Sequence, residues 1–421
     1  MLGVPHGRYR RGRWTIAITA IVLLAALWAA SRTGDPPGRR AAVEIEPSSA
    51  AELAWLVEHS GDVWTDPPMV GRPMVAVFDG DGLRSLAARG ITWRVVVADI
   101  DALAAAERER LAARKLHAAG AGWYSEYRNV VEVGQRLIDL SKEHPELTGL
   151  RALGGSIEGW PIRALEISRG GDIGIALSGG LHAREWISVM VATCVAERLL
   201  ESADRDQRVR DILEQVSFSA VPLANPDGYA HSWTVDRYWR KNRRGGYGVD
   251  LNRNFSVAWG RSGASSRKRS QTYRGESAFS EPESRALANL FDDRRIRAHI
   301  DFHSYSQLIL YPWSYQRKPP EDRDELAAIG DRMASAMYAA HGQPYKVLGG
   351  ADLYGASGTA LDWSYGERGA LSFVIELRPA RGRRGFVLPP EQIVPTCDEG
   401  YAATLELAEW MISRRESGRG L

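Results

Sequence analysis

Cysteine is almost missing from this sequence: Cys194 and Cys397 are the only two in 421 residues. That excludes a disulfide scaffold of the kind that holds small secreted domains together. Both read as small core residues, and a bond between them is left open. An excess of one charge is missing too, because 54 Lys+Arg face 52 Asp+Glu for a net of +2. This balance removes charge as an argument for nucleic acid or an acidic surface as partner. No internal repeat is visible. What remains is ordinary globular composition, 44% hydrophobic and 25% charged. The chain is too long for one ordinary domain and short for three.

The N-terminus holds a long apolar run. Residues 1–13 carry Arg8, Arg10, Arg11 and Arg13 and no acid, and residues 14–30 follow without a charge. Residues 1–31 therefore read as a secretory signal cleaved near Ala29-Ala30-Ser31, or as an uncleaved membrane anchor through residues 14–30. Both readings place the rest of the chain outside the cytoplasm, with the arginines inside. Residues 32–41, with Pro36-Pro37-Gly38, read as a linker. Residues 42–99 alternate between strands at 43–46, 74–78 and 91–97 and helices at 51–59 and 82–89. They predict a small four-stranded antiparallel sheet with two helices and hold no cluster of catalytic appearance. Residues 100–122 form a connecting helix by composition. It is either solvated or, through Arg108, Arg110, Arg114 and Lys115, open to trypsin-like proteases.

From residue 123 the pattern becomes α/β. Strands are expected at 150–156, 162–167, 173–177, 216–223, 298–302 and 372–377. Helices are expected at 127–142, 187–200, 285–291, 324–341 and 398–414. Asn225-Pro226-Asp227-Gly228 reads as a turn. The stretch Gly179-Gly180-Leu181-His182-Ala183-Arg184-Glu185-Trp186 lies between a buried strand and an apolar helix, at the sheet edge where ligands bind in open α/β folds. An imidazole and a carboxylate three positions apart on such a turn can face one point, and both are good zinc ligands. The run Arg297-Ala298-His299-Ile300-Asp301-Phe302-His303, at the end of another strand, offers a third. Alone, a His-x-x-Glu pair reads as a hydrogen-bonded loop histidine beside a solvated carboxylate.

Further motifs decide between these readings. Trp239-Arg240-Lys241, Asp250-Leu251-Asn252-Arg253-Asn254, His303-Ser304-Tyr305-Ser306-Gln307, Tyr354-Gly355-Ala356-Ser357-Gly358, Asp362-Trp363-Ser364-Tyr365 and Phe373-Val374-Ile375-Glu376-Leu377-Arg378 follow in order. With them, the chain from about residue 43 to its last helix resembles a zinc metallocarboxypeptidase of the pancreatic carboxypeptidase A/B type, made as a proenzyme. The resemblance implies an α/β catalytic domain over residues 123–421, with a mixed central sheet and helices on both faces. A small α+β antiparallel-sheet propeptide precedes it. It implies Zn²⁺ held by His182, Glu185 and His303 with one position open, and Asp250 orienting the first histidine. Glu376 matches the general base and Arg240 the residue that holds the oxyanion. Asn252, Arg253 and Tyr354 match the clamp for the substrate's terminal carboxylate, and Arg184 a contact further along the cleft.

The chemistry explains the set. Water is a poor nucleophile at neutral pH, so a metal and a base are needed. Charge grows on the carbonyl oxygen, where a guanidinium stabilises it. A terminal carboxylate calls for a bidentate arginine. In this family the residue after Thr359-Ala360 reads the substrate side chain. Here it is Leu361, which gives no counter-charge to a buried cation, so apolar or aromatic C-terminal residues are expected. Ser314 and Gly349 match small pocket positions. The disulfide of the vertebrate pancreatic members has no counterpart: one half falls in the shortened segment 243–249 and Arg269 matches the other. The implied partners are peptides or proteins bound through their C-terminus, and an activating protease cutting between about Arg108 and Gly122, at Arg114 or Lys115. A cell-wall peptide peptidase and a catalytically silent binding protein are the competing readings. The full clamp disfavours the first, and the intact ligand and base positions disfavour the second.

Overall fold

The structure is a computed structural model, and it describes residues 39–65, 68–117, 122–292, 295–380 and 385–418. The expected signal or anchor and most of the linker lie outside the described residues, as do residues 118–121 and the side chains of Arg114 and Lys115. Among the described residues no helix is long and apolar enough to cross a membrane. The chain divides into two compact units, which are described separately.

The smaller unit runs from β1 (Arg40–Ile45) through α1 (Ala50–His59), β2 (Asp62–Val63), β3 (Met74–Asp79) and α2 (Gly80–Ala88) to β4 (Arg94–Val97). Its sheet has the order β2-β3-β1-β4, antiparallel throughout. This is the expected four-stranded antiparallel sheet with two helices. Alternate residues Ala41, Val43 and Ile45 of β1 and Met74, Ala76 and Phe78 of β3 form its core with Leu56 and Leu86. Both helices start on side-chain caps, Ser49 accepting from Glu52 N and Asp79 from Gly82 N.

Helix α3 (Ile100–His117) follows, and from Ala102 it belongs to the larger unit. It is not a solvated strut. Ala104, Glu107 and Leu111 are buried, at a spacing of three and four that puts them on one helix face. The segment Trp64–Met69 is also part of the larger unit.

The larger unit is built on an eight-stranded mixed sheet, β11-β10-β12-β9-β7-β8-β6-β5. Its strands are β5 (Thr148–Gly155), β6 (Pro161–Ile167), β7 (Ile173–Gly179), β8 (Val216–Val221), β9 (Ile296–Ser306), β10 (Leu308–Tyr311), β11 (Lys346–Gly349) and β12 (Leu371–Ala380). The central strands β12, β9, β7 and β8 are parallel, and β7 is buried along its whole length, as a strand covered on both faces must be. The helices are α4 (Val130–Glu143), α5 (Trp186–Ser202), α6 (Gln207–Leu213), α7 (Pro226–Thr234), α8 (Pro282–Leu290), α9 (Arg323–His341), α10 (Gly350–Leu353), α11 (Ala360–Gly366) and α12 (Ile393–Glu416).

Strand alternation sorts the core into two layers. Ile175 and Leu177 of β7, Phe218 of β8 and Ala298, Ile300 and Phe302 of β9 pack with α5 and α12. Ala176 and Val221 point the other way, toward α8 and α11. Helix α5 is mostly apolar and buried from Trp186 to Leu200 apart from Arg198. Cys194 of α5 and Cys397 of α12 form a disulfide, Cα–Cα 6.1 Å, which settles the pairing left open by the sequence. Asn225-Pro226-Asp227-Gly228 does not end as a turn. Asn225 caps α7 by accepting from Gly228 N, and Pro226 takes its first helical position.

Candidate active site

Neighbouring parallel strands end on the same edge of a sheet, and this brings the expected residues together. His182 and Glu185 follow β7, and His303 lies near the end of β9, its neighbour. The turn after β7 needs its two glycines. A Cβ on Gly179 would stand 2.7 Å from Ser188 O, and Gly180 has φ +70° with Pro222 O 2.9 Å from such a carbon. Helix α5 can therefore start directly over the strand end, with Glu185 at its N-terminus.

His182, Glu185 and His303 are all buried, and their ligand atoms lie within 4.8 Å of one another. Glu185 Oε1 is 2.8 Å from His182 Nδ1 and Oε2 is 3.0 Å from His303 Nδ1. The two Nδ1 atoms are 3.1 Å apart. Each ring turns its Nε2 to a carboxylate, His182 to Asp250 at 3.2 Å and His303 to Asp301 at 2.8 Å. With both Nε2 protons donated there, the two Nδ1 atoms face each other as lone pairs beside a carboxylate. That arrangement repels itself unless a cation sits between, so these residues fit a zinc ion. The electrostatics agree. Burial alone would raise Glu185, but His182 and His303 hold it well below the usual carboxylate range. Burial would lower His303, yet Asp301 and Glu185 push it well above the ordinary imidazole value. In the metal-free chain the site draws positive charge.

Asp250 is fully buried, and its Oδ2 accepts from Arg240 at 2.8 and 3.2 Å. Burial opposes its ionisation, and Arg240, then Arg253 and His182, hold it well below the usual range. Arg240 also lies 3.4 Å from His182 Nδ1. Arg253 is buried and donates to Gly263 O at 3.0 Å and Asn252 O at 2.7 Å, while Asn252 Oδ1 accepts from Ala360 N at 2.9 Å. The loop carrying Tyr354 packs on the same segment: a Cβ on Gly263 would meet Gly355 O at 2.2 Å, and one on Gly358 would meet Arg253 O at 2.5 Å. Glu376 on β12 stands in register with His303 on the parallel β9, so both side chains leave the same face of the sheet.

Leu361 is buried on α11 and joins Leu308, Leu310 and Val374, with Leu348 and Leu353 against them. Asp362 beside it is fully buried and accepts from Ser314 N and Tyr315 N, and burial pushes it up to about 7 against those bonds. Ser314 is tight against Gly350, where a Cβ would approach its Oγ to 2.3 Å.

Arg184 is fully buried, its guanidinium 4.1 Å over the Phe386 ring. Three features around it escaped the sequence reading. Trp64 stacks on Tyr238 at 5.2 Å and meets Phe386 edge-on at 5.4 Å. Arg237, 3.7 Å over the Trp186 ring, donates to Arg184 O and Phe386 O. Glu107 of α3 is its buried ion-pair partner. No local pattern announces long-range pairs such as these. Asp301 did carry a signal, since it stands two residues before His303 on one strand and so on the same face.

Comparison with known proteins gives the same picture. The family model for zinc carboxypeptidase matches residues 134–403. The chain is similar to carboxypeptidase A1 of Bos taurus, 33% identical over 412 residues, which is 94% of this chain and 98% of that protein. Among solved structures it resembles thrombin activatable fibrinolysis inhibitor, with TM-score 0.80 and 28% identity over 89% of this chain and 99% of that one. Carboxypeptidase A from Helicoverpa armigera gives TM-score 0.77 and 28% identity over 90% and 99%.

Proposed function

This chain belongs to the zinc carboxypeptidase family of hydrolases, and on that premise we propose that it removes C-terminal residues from peptides and proteins, preferring apolar or aromatic ones, and is made as a latent precursor. The observation that carries the reading is the convergence of His182, Glu185 and His303, with Glu376 in register beside His303.

A bound zinc ion supplies Lewis-acid chemistry, which makes water reactive near neutral pH. The remaining work falls to side chains. Glu376 takes the proton of the attacking water and passes it to the leaving amine. Arg240 stabilises the negative charge that grows on the carbonyl oxygen. Arg253, with Asn252 and Tyr354, holds the terminal carboxylate. Leu361 and its apolar neighbours receive the terminal side chain, and the neutral wall disfavours Lys and Arg. Arg184 contacts substrate further from the cut.

Latency is supported by α3, which buries Glu107 and Leu111 in the larger unit ahead of Arg114 and Lys115. In this reading the module of residues 42–99 keeps the chain latent until a trypsin-like protease cuts at Arg114 or Lys115. The disulfide supports a secreted or extracytoplasmic protein, since such bonds persist in oxidising compartments.

The test is zinc analysis of the purified chain, followed by mass spectrometry of a mixed peptide pool and a protein-sized substrate before and after limited trypsin treatment. One equivalent of zinc and stepwise loss of single C-terminal residues, blocked by a chelator and enhanced by the cut, is the expected result. Internal cleavage, or activity indifferent to chelation, refutes the carboxypeptidase reading. Full activity before the cut refutes latency.

A further inference from the structure

Strand β9 carries a polar face through the middle of the larger unit. His299, Asp301 and His303 alternate with Ala298, Ile300 and Phe302, which enter the apolar core. All three polar side chains are almost fully buried, at 1%, 0% and 2% exposure. Burying three ionisable groups in a row is costly without a purpose or a partner for each.

The partners form a directed chain. Asp301 Oδ2 is 2.8 Å from His303 Nε2, and Asp301 Oδ1 accepts from Ser178 Oγ at 2.6 Å. Ser178 stands in register with Asp301 on β7, so the contact is built into the sheet. Ser178 Oγ is also 2.8 Å from His299 Nε2. A hydroxyl has one proton, and Ser178 donates it to the carboxylate, so it must accept from His299 Nε2–H. That leaves His299 Nδ1 as an acceptor, facing Ser364 Oγ at 3.1 Å.

The contrast with Asp250 is informative. Asp250 orients His182 and has its charge balanced by Arg240 and Arg253. Among the described residues Asp301 has no arginine or lysine partner, only the neutral donor Ser178 and the ring of His303. Its buried charge is therefore matched through that ring, by whatever positive charge the other ring nitrogen faces.

We propose that Asp301 is a positioning residue for His303. Its carboxylate accepts the Nε2 proton, the Ser178–His299 chain holds the carboxylate in place, and His303 thereby presents Nδ1 as a lone pair toward the cation. The inference rests on the reading of His182, Glu185 and His303 as the metal ligands.

The experiment measures zinc affinity of the full chain by competition with a chelator, and the absorption spectrum of the cobalt-loaded protein, for wild type, Asp301→Ala, Asp301→Asn, Ser178→Ala and His303→Ala. Loss of a partner of this kind weakens metal binding by roughly 10- to 100-fold. Asp301→Ala should show that loss and a changed cobalt spectrum at unchanged far-ultraviolet circular dichroism. Asp301→Asn keeps an acceptor but not the charge, and should fall between it and wild type. Wild-type affinity and spectrum in Asp301→Ala would overturn the proposal. Should Asp301→Ala fail to fold, Ser178→Ala decides the matter, with weaker binding expected and unchanged affinity and spectrum overturning it. A full zinc equivalent retained by His303→Ala refutes the ligand assignment, and the positioning role with it. Loss of zinc there beside an unaffected Asp301→Ala refutes the positioning role alone.

Discussion

Breaking the Cys194–Cys397 bond should cost this protein a large share of its stability. The bond ties α5 to the first turns of α12 across a sequence separation of 203 residues. In the chain-entropy account, closing a loop of that length removes about 18 cal/mol/K from the unfolded ensemble, or about 5 kcal/mol at 25 °C. Both sulfurs are buried in the layer between α5 and α12, so reduction requires partial opening and the bond should survive mild reductant. The assay is urea unfolding of zinc-free oxidised and reduced chain, followed by tryptophan fluorescence. Comparing two redox states of one sequence removes no atoms from the core. The reduced chain should unfold earlier by several kcal/mol, equivalent to roughly 6 °C in melting temperature. Cys194→Ala with Cys397→Ala should fall lower still, because a cavity adds to the loss. Coincident unfolding of the two redox states, or two free thiols in the unreduced denatured chain, refutes the reasoning and returns both residues to separate packing roles.

Three further outcomes follow from the site. Glu376→Gln should keep zinc and fold but lose ~10²- to 10⁴-fold in turnover; a variant within a few-fold of wild type removes Glu376 from the mechanism. Leu361→Asp should shift preference by ~10-fold or more toward Lys- and Arg-terminated peptides over Leu- and Phe-terminated ones, and equal cleavage of both classes by wild type would defeat the pocket argument. His299 is depressed from 6.5 to about 4, chiefly by burial. A depressed folded-state value means stability present above pH 6.5 and lost as pH falls toward 4, up to about 3 kcal/mol. Zinc-free His299→Gln should lack that share of the acid loss, and identical pH dependence in both proteins would argue that His299 already titrates normally.

Much of this architecture is legible in the residues because each level agrees with the next. The apolar run at β7, the glycine pair after it and the apolar helix behind it all demand one strand–turn–helix unit. The small unit shows period-two alternation on β1 and β3. What was not legible has physical causes. Strand β10 is not legible because the chain reverses at Ser306–Gln307 with positive φ at both and no glycine or proline to mark it, and β11 is only four residues long. Asn225-Pro226-Asp227-Gly228 uses residues that serve equally as a turn and as a capped helix start. At the site, the grouping of His182, Glu185 and His303 is readable from their flanks, whereas Trp64, Glu107 and Arg237 gain meaning only from partners far along the chain.

In the proposed maturation, the buried pair between Glu107 and Arg237 would couple the cut to stability. Helix α3 lends the larger unit Leu111 as part of its core and Glu107 as the counter-charge of a guanidinium held over Trp186. If the helix departs after a cut, Arg237 keeps its two carbonyl acceptors but loses its carboxylate. Withdrawing one member of a buried ion pair costs about 3–5 kcal/mol. The cut form would then lack support that the intact chain has. In the proposed maturation the segment that is discarded would also be the one that supplies this counter-charge, so activation and loss of support would be a single event.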